Sequence, residues 1–112
     1  MEQHIQAMKN GYNPEIVLAF FKECGLPEPI SEYQFHPQRK WRFDWCFMPA
    51  KLAVECQGGI FSGGAHVRGA RLLKEYEKLN RAAALGWKVI FVTPSQLCTM
   101  ETVTLIKQAL AI

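Results

Sequence analysis

The sequence predicts a mixed α/β fold, and three observations predict it. A helical pattern opens the chain, two adjacent segments alternate apolar and polar residues as half-buried strands do, and a second helical pattern precedes a short apolar strand. That second helix is a natural crossover for returning a strand parallel to the sheet. The expected order is α-β-β-β-α-β with a C-terminal helix, and a mixed central sheet flanked by helices.

The first helix is predicted by its capping residues and its apolar spacing. Asn13 is a favourable N-cap and Pro14 suits the first helical position. Gly25 and Pro27 end the pattern. The apolar residues recur at i, i+3, i+4 and i+7: Val17, Phe20, Phe21 and Cys24.

Three strands are predicted next, over residues 30–35, 41–47 and 51–57. The middle segment alternates strictly, which places its four aromatic residues on one face and three smaller or charged residues on the other. The third segment alternates again, so the last two strands form a hairpin. The aromatic residues are Trp41, Phe43, Trp45 and Phe47, and the opposite face carries Arg42, Asp44 and Cys46.

The second half of the chain is predicted as loop, helix, strand and helix. Five glycines between residues 58 and 69 predict a loop. A helical pattern follows and ends at Gly86. Residues 87–92 are almost entirely apolar, which favours a strand in the centre of the sheet. The last helix has apolar residues at Val103, Ile106 and Leu110.

Composition predicts one globular domain over residues 1–112. Of these residues 49% are apolar and 21% are charged, as in ordinary folded proteins rather than disordered or fibrous ones. The formal net charge of +3 is too small to argue by itself for a nucleic-acid partner.

Cysteine usage and the N-terminus both predict a cytoplasmic protein. Cys24, Cys46, Cys56 and Cys98 form no CxxC pair, and no His stands at zinc-ligand spacing from them. We interpret them as buried thiols in a reducing compartment. The first residues lack the pattern of an export signal, and no apolar stretch approaches the roughly 20 residues that a membrane helix needs.

Two acidic residues, Asp44 and Glu55, are predicted to face each other across the hairpin. With the turn centred on residues 49–50, Asp44 falls opposite Glu55, and Trp45 falls opposite Val54 on the other face. This register gives every apolar position an apolar partner. The agreement supports the register.

The opposed carboxylates favour a bound divalent metal ion. Directly opposed residues have Cβ atoms about 4.5 to 5.5 Å apart, where like charges destabilise a sheet. Mg²⁺ offsets the repulsion, since it takes one or two carboxylates and completes its octahedron with water and substrate phosphate. In a competing interpretation, Arg42 and Lys51 neutralise two surface acids, and spacing alone does not decide between the two.

Two segments of the hairpin carry a known pattern: RFDW and, after a turn, AVECQGG. Together they resemble the PD-(D/E)XK nuclease motif, in which an Asp precedes a strand that carries Glu-x-Lys. With the later segments HVRG and EYEKLNRAAALGWKVI, the chain resembles small phage-associated endonucleases related in motif to very-short-patch repair enzymes. The resemblance covers about Glu32 to Val92 and implies a restriction-endonuclease-like core.

The resemblance implies hydrolysis of DNA phosphodiester bonds. By it, Asp44, Glu55 and the backbone carbonyl of Cys56 would bind Mg²⁺ or Mn²⁺, and the metal would activate water and stabilise charge on the phosphate. A homodimer is expected, because a small catalytic domain usually needs a second copy to cut both strands. The implied setting is DNA repair, recombination or phage genome processing.

The chain departs from the motif at Gln57, where the pattern has Lys. The Gln amide can orient water or a phosphate oxygen, but it carries no charge and cannot act as a base. Three explanations stay open. The metal hydroxide or the substrate phosphate suffices, a nearby group such as His66 or Lys51 supplies the missing role, or the enzyme is weak. His66 is a candidate general acid or base, or a phosphate contact.

Basic residues before and after the hairpin are candidate DNA contacts. Arg39, Lys40 and Arg42 could hold phosphates on either side of the scissile bond. Arg68 and Arg71 follow the glycine-rich segment at a predicted helix N-terminus, a position that favours anions. The competing interpretation is a solvated strand end and helix surface.

Three further acids have open roles in the sequence. Glu32 is either an outer-shell metal residue or an exposed salt-bridge partner. Glu75 and Glu77 cannot both face the site, and helical spacing predicts that Glu77 pairs with Arg81.

Two hypotheses about function compete. The first is a metal-dependent DNA endonuclease, either selective for a structure such as a four-way junction or specific for a sequence. The second is a catalytically weak or inactive DNA-binding module that retains the nuclease fold, which Gln57 favours. Retention of both Asp44 and Glu55 favours the enzyme.

Overall fold

The computed structural model describes residues 11–57 and 65–112, apart from the side chains of residues 65–68. Helices and strands alternate along the described chain, so the fold is mixed α/β, as predicted. The elements are helix α1 (Pro14–Glu23), strands β1 (Ile30–Gln34), β2 (Arg42–Phe47) and β3 (Leu52–Cys56), helix α2 (Ala65–Ala84), strand β4 (Lys88–Val92), and helices α3 (Pro94–Leu97) and α4 (Met100–Leu110).

The four strands form one mixed sheet in the order β1-β2-β3-β4. The first three are antiparallel neighbours, and α2 crosses over so that β4 returns parallel to β3. The predicted hairpin register is confirmed, since Trp45 pairs with Val54 and Phe47 with Leu52. The prediction that β4 is central is wrong. Its apolar residues pack on both faces of an edge strand, Ile90 and Val92 in one cluster and Val89 in the other.

The ends of α1 and the C-terminal end of α2, before Gly86 at φ 90°, follow the predicted residues, but the start of α2 does not. The side chain of Asn13 accepts the Glu15 N–H at 2.9 Å, and Gly25 beyond the helix has φ 83°. The predicted loop is wrong from Ala65 onward, because α2 already begins there. A single glycine, Gly69, costs a helix only about 1 kcal/mol relative to alanine, so it does not prevent the helix from starting earlier.

Two apolar clusters pack the sheet against its helices. Residues of α1 and α4 pack with Trp45 and Phe47 in the first cluster, and Ala82 of α2 packs with Phe43 in the second. The prediction that the aromatic residues of β2 share one face is therefore wrong. The change of side falls at Asp44, and Glu32, which the strand register places opposite it, lies at φ 52° in the middle of β1.

The cysteines are not all buried, contrary to the prediction. Cys46 and Cys56 are buried within strands, as expected. Cys24 is half-buried against the first cluster and Cys98 is exposed, and each lies at the C-terminal cap of a helix. No helix in the described part of the chain is long and apolar enough to cross a membrane.

Candidate active site

Asp44 and Glu55 lie next to each other where β2 and β3 separate. The last backbone pair before this point is Trp45 with Val54. Beyond it the Asp44 N–H donates to Glu55 Oε1 at 2.8 Å, and the Cys56 N–H donates to Asp44 Oδ2 at 2.8 Å. Each carboxylate thus accepts a hydrogen bond from the backbone of the opposite strand. The predicted apposition is present, although side chains rather than a regular ladder make it.

A lysine that sequence reasoning missed holds the buried carboxylate. Lys78 Nζ of α2 lies 2.6 Å from Glu55 Oε2, and the two side chains are only 12% and 8% exposed. The interpretation of two surface acids neutralised by Lys51 is wrong for Glu55. Lys51 lies at the hairpin turn, where its Nζ donates to the Leu85 carbonyl. An ionised carboxylate that is buried without a partner is strongly destabilising, so Lys78 is part of the site.

Burial also changes the protonation of this carboxyl group. It raises the pKa of Glu55 from its ordinary value to about 7, with Lys78 opposing the shift and Asp44 adding to it. The Glu55 carboxyl group therefore loses its proton at a higher pH than an exposed glutamate does. A divalent cation at the site would favour the ionised form.

Gln57 connects the end of β3 to α2. Its N–H donates to the Val92 carbonyl at 2.8 Å, and its side-chain Nε2 donates to Glu75 Oε2 at 3.1 Å. As predicted, only one of the two α2 acids faces the site, and it is Glu75. Glu77 forms its ion pair with Arg39 at 2.9 Å, and the expected partner, Arg81, has only a smaller electrostatic effect on it. Arg39 reaches it from the connection between β1 and β2.

The two carboxylates lie in a cleft of about 930 Å³ with basic walls. Lys40, just before β2, and Arg42, at its start, line the cleft, and α2 contributes a face with i, i+3, i+4 and i+7 spacing. That spacing is the sequence signal that could have identified Lys78. The residues of α2 that line the cleft are Arg71, Lys74, Glu75 and Lys78.

The segment before α1 closes one end of the cleft. Gly11 lines it with φ 84°, and a Cβ added there would lie 3.2 Å from Pro94 Cγ, so any larger residue would be crowded as well as strained. Tyr12 follows and is only 8% exposed. Burial, followed by the nearby Asp44, raises the pKa of the Tyr12 phenol far above its ordinary value, but Tyr12 packs in the core and is not among the residues that line the cleft.

The predicted site residues do not all come together. Arg39 lies outside the lining residues, with its guanidinium 3.9 Å from the centre of the Trp41 ring. The backbone of His66 and Arg68 lies in the first turns of α2, and their side chains lie outside the described residues. The predicted residues that line the cleft are Lys40, Arg42, Asp44, Glu55, Cys56, Gln57 and Arg71.

The donor set of the cleft fits a hard divalent cation. Among the side chains of residues 11–57 and 69–112, no group of three or more His, Cys, Asp or Glu is arranged to hold a metal ion. Asp44 and Glu55 would therefore supply two carboxylates, and water and phosphate the remaining ligands, which is the usual environment of Mg²⁺ in proteins. Zinc would need more nitrogen or sulfur ligands than these positions offer.

Comparison with known proteins identifies no family. No family model, curated protein sequence or solved structure matches the chain.

Proposed function

We propose that this protein is a metal-dependent DNA endonuclease with a restriction-endonuclease-like core. The observation that carries the proposal is the carboxylate pair, Asp44 and Glu55, hydrogen-bonded to opposite strands inside a cleft with basic walls. Two acids held this close are unfavourable in a sheet. A bound Mg²⁺ or Mn²⁺ would turn that repulsion into a binding site.

The site residues would divide the work of phosphodiester hydrolysis. Asp44 and Glu55 would hold the metal, with the backbone carbonyl of Cys56 as the further ligand that the motif implies. The backbone N–H groups that bind both carboxylates fix their positions before substrate arrives. When bound, the metal would supply an activated water and stabilise charge on the phosphate.

Lys78 is the candidate for the cation that the motif places at Gln57. Its ammonium lies beside Glu55 and therefore beside the proposed metal. A positive charge there would stabilise the developing charge on phosphate oxygens or orient the attacking water. This position favours the explanation that a nearby group supplies the role of the motif lysine that Gln57 replaces. Lys78 is a better candidate for that group than Lys51. Gln57 itself would position α2 through Glu75.

The walls of the cleft would bind the DNA backbone. Lys40 and Arg42 on one side and Arg71 and Lys74 on the other would contact phosphates flanking the scissile bond. Arg39 and Arg68 stay candidates for outer contacts, and His66 for a role in proton transfer. Contacts to phosphates bind DNA of any sequence. Selectivity for one DNA substrate would therefore come from the shape of that substrate or from further contacts.

The proposal is tested by cleavage of linear duplex, nicked duplex and four-way junction DNA in Mg²⁺ or Mn²⁺. We expect metal-dependent cutting that disappears in Asp44→Ala. Glu77→Ala is the matched control, because Glu77 is an acid that ion-pairs outside the cleft, and it should cut like the wild type. Equal cutting by Asp44→Ala and wild type would refute the site, and the preferred substrate would distinguish a junction resolvase from a repair enzyme.

A DNA-binding module without catalysis is the second candidate. Two observations favour it: Gln57 replaces the motif lysine, and Lys78 already neutralises Glu55 without a metal. In that case the wild-type protein binds DNA but cuts none of the three substrates with either metal. Binding in that experiment would still require the basic walls of the cleft.

A further inference from the structure

Strand β4 presents unpaired backbone groups at the edge of the sheet. Its Lys88 N–H donates to the Lys51 carbonyl, and its Val92 carbonyl accepts the Gln57 N–H. Backbone groups of successive strand residues point to opposite sides, so the N–H and C=O groups of Val89 and Phe91 point away from β3. No strand in the described part of the chain pairs with them.

The same edge is flanked by exposed apolar side chains. Phe91 is 44% exposed and Leu105 of α4 is 46% exposed. Lys88 Nζ donates to the Ala109 carbonyl at 3.0 Å, which places α4 beside the start of β4. Leu105 precedes Ala109 by one helical turn and so shares its side of the helix. Apolar side chains beside an unpaired strand favour pairing with another chain.

The opposite edge of the sheet is built differently. Strand β1 has the sequence ISEYQ and also exposes an apolar side chain, Ile30, but Ser31 and Gln34 are exposed beside it and Glu32 has a positive φ. Polar residues, a charge and a local distortion are the features that prevent edge-to-edge pairing. β4 has the sequence KVIFV, without proline and without a charge beyond its first residue. Only one of the two edges is thus protected.

We propose that β4 pairs antiparallel with β4 of a second copy of this chain, about a twofold axis at Ile90. In this register Val89 and Phe91 of one copy face Phe91 and Val89 of the other, and each such pair exchanges two backbone hydrogen bonds. Lys88 faces Val92 of the second copy, so no like charges meet. An interface of this kind is complementary to itself, as a twofold dimer requires. The two sheets become one sheet of eight strands.

The pairing has a consequence for catalysis that rests on the proposed function. Glu55 lies opposite Phe91 in the β3–β4 register, one residue from the axis. From a strand spacing of about 4.8 Å and a rise of about 3.3 Å per residue, the Cα atoms of the two Glu55 residues lie roughly 16 Å apart. Because the axis is perpendicular to the sheet, both clefts open on the same face. Two sites so placed would act on the two strands of one duplex.

The interface is tested by molar mass in solution, from size-exclusion chromatography with light scattering, without DNA or metal. Wild type should have twice the mass of the chain, and Phe91→Lys and Leu105→Lys should shift it to the monomer. Leu73→Lys is the matched control, because Leu73 is 70% exposed on α2, and it should stay dimeric. Circular dichroism confirms that each variant is folded. A monomeric wild type, or dimeric Phe91→Lys and Leu105→Lys variants, would overturn the proposal.

A cross-link tests the register. Ile90→Cys places two thiols opposite each other across the axis, at a non-hydrogen-bonded pair whose Cα atoms lie about 4.5 Å apart, within disulfide range. Oxidised glutathione should convert the Ile90→Cys variant to a covalent dimer. The Leu73→Cys variant should form much less of the covalent dimer under the same conditions. Equal cross-linking of the two would overturn the register. If the wild-type protein is a monomer that cuts DNA, the interface is refuted and the proposed function is not. If it is a dimer that cuts no DNA, the proposed function is refuted and the interface is not.

Discussion

The two ends of the β2–β3 hairpin are built on different principles. Toward the turn, Trp45 pairs with Val54 and Phe47 with Leu52 in a regular ladder, and all four side chains are at most 2% exposed. Toward the open end the ladder stops, and the Asp44 and Glu55 carboxylates accept the backbone N–H groups instead. One end is apolar and the other places acids beside each other.

The difference separates stability from function within a single hairpin. Burial of apolar surface at the turn end stabilises the fold without regard to pH or ions. The open end removes two carboxylates from water and relies on Lys78 to offset the charge of Glu55. We therefore expect the open end to respond to metal, pH and charge substitutions, and the turn end to respond only to changes in packing.

Substitution of Lys78 should have the largest effect of those we expect. Lys78→Met should lower kcat by about 10² to 10³, as the loss of one group that stabilises charge in a transition state does. Lys74→Met is the control, because Lys74 lines the same cleft on the same helix, and it should mainly raise KM. Equal effects on kcat in the two variants would contradict a special role for Lys78. Single-turnover cleavage kinetics measure the difference.

At the turn end, Phe47→Ala should lower the free energy of unfolding by about 3 to 5 kcal/mol. Phe47 is 2% exposed, and the neighbouring Met48 is 44% exposed, so Met48→Ala should change stability by less than about 0.5 kcal/mol. Urea unfolding measures both values. The residual activity of folded Phe47→Ala at low temperature should stay close to wild type. A similar cost for the two variants would show that packing does not distinguish these positions.

The response to pH should come from the open end. The pKa of Glu55 is about 7 in the folded state, above its ordinary value of 4.5. Between pH 4.5 and 7 the folded state therefore keeps a proton that the unfolded state has released. Its contribution to stability is then greatest below pH 4.5 and declines as the pH rises toward 7. Since Mg²⁺ or Mn²⁺ binds the ionised form, the metal should raise Tm more at pH 8 than at pH 5.5. Asp44→Asn should remove most of the rise in Tm caused by the metal. An equal rise in Tm at both pH values would contradict the titration of Glu55 at the metal site.

The smallest effect should be on DNA binding. Arg71→Gln should reduce the slope of log Kd against log salt by about one unit, as expected for the loss of one phosphate contact. Arg81→Gln is the control, because Arg81 is exposed on the same helix and does not line the cleft. Fluorescence anisotropy with labelled duplex at several salt concentrations measures both. An unchanged slope for Arg71→Gln would place the DNA elsewhere.

The sequence predicted the parts of the molecule that depend on neighbouring residues. Asn13 and Pro14 located the start of α1, and alternation located β2 and β3. The hairpin register followed because only one alignment pairs the apolar positions, and that alignment brought Asp44 and Glu55 together. These features are local, or connect strands joined by a short turn, so pattern alone determines them.

Features set by tertiary packing were not predictable in the same way. Lys78 is far from Glu55 in the chain, and its contact depends on how α2 rotates over the sheet. The position of β4 at the edge depends on strand order, which its apolar composition does not reveal. The division of the aromatic residues of β2 between two faces lies beside Glu32, where a glutamate gives no local signal for a positive φ.

Direct measurement of metal binding tests the central claim most sharply. Electron paramagnetic resonance of Mn²⁺ titrated into the protein at pH 8 should show one bound ion per chain in the wild type. Asp44→Asn is nearly isosteric, and its amide oxygen can still accept the Cys56 N–H, yet it should lose the bound ion. Glu77→Gln should retain it. Equal Mn²⁺ binding by wild type and Asp44→Asn would contradict the assignment of the carboxylate pair as the metal site.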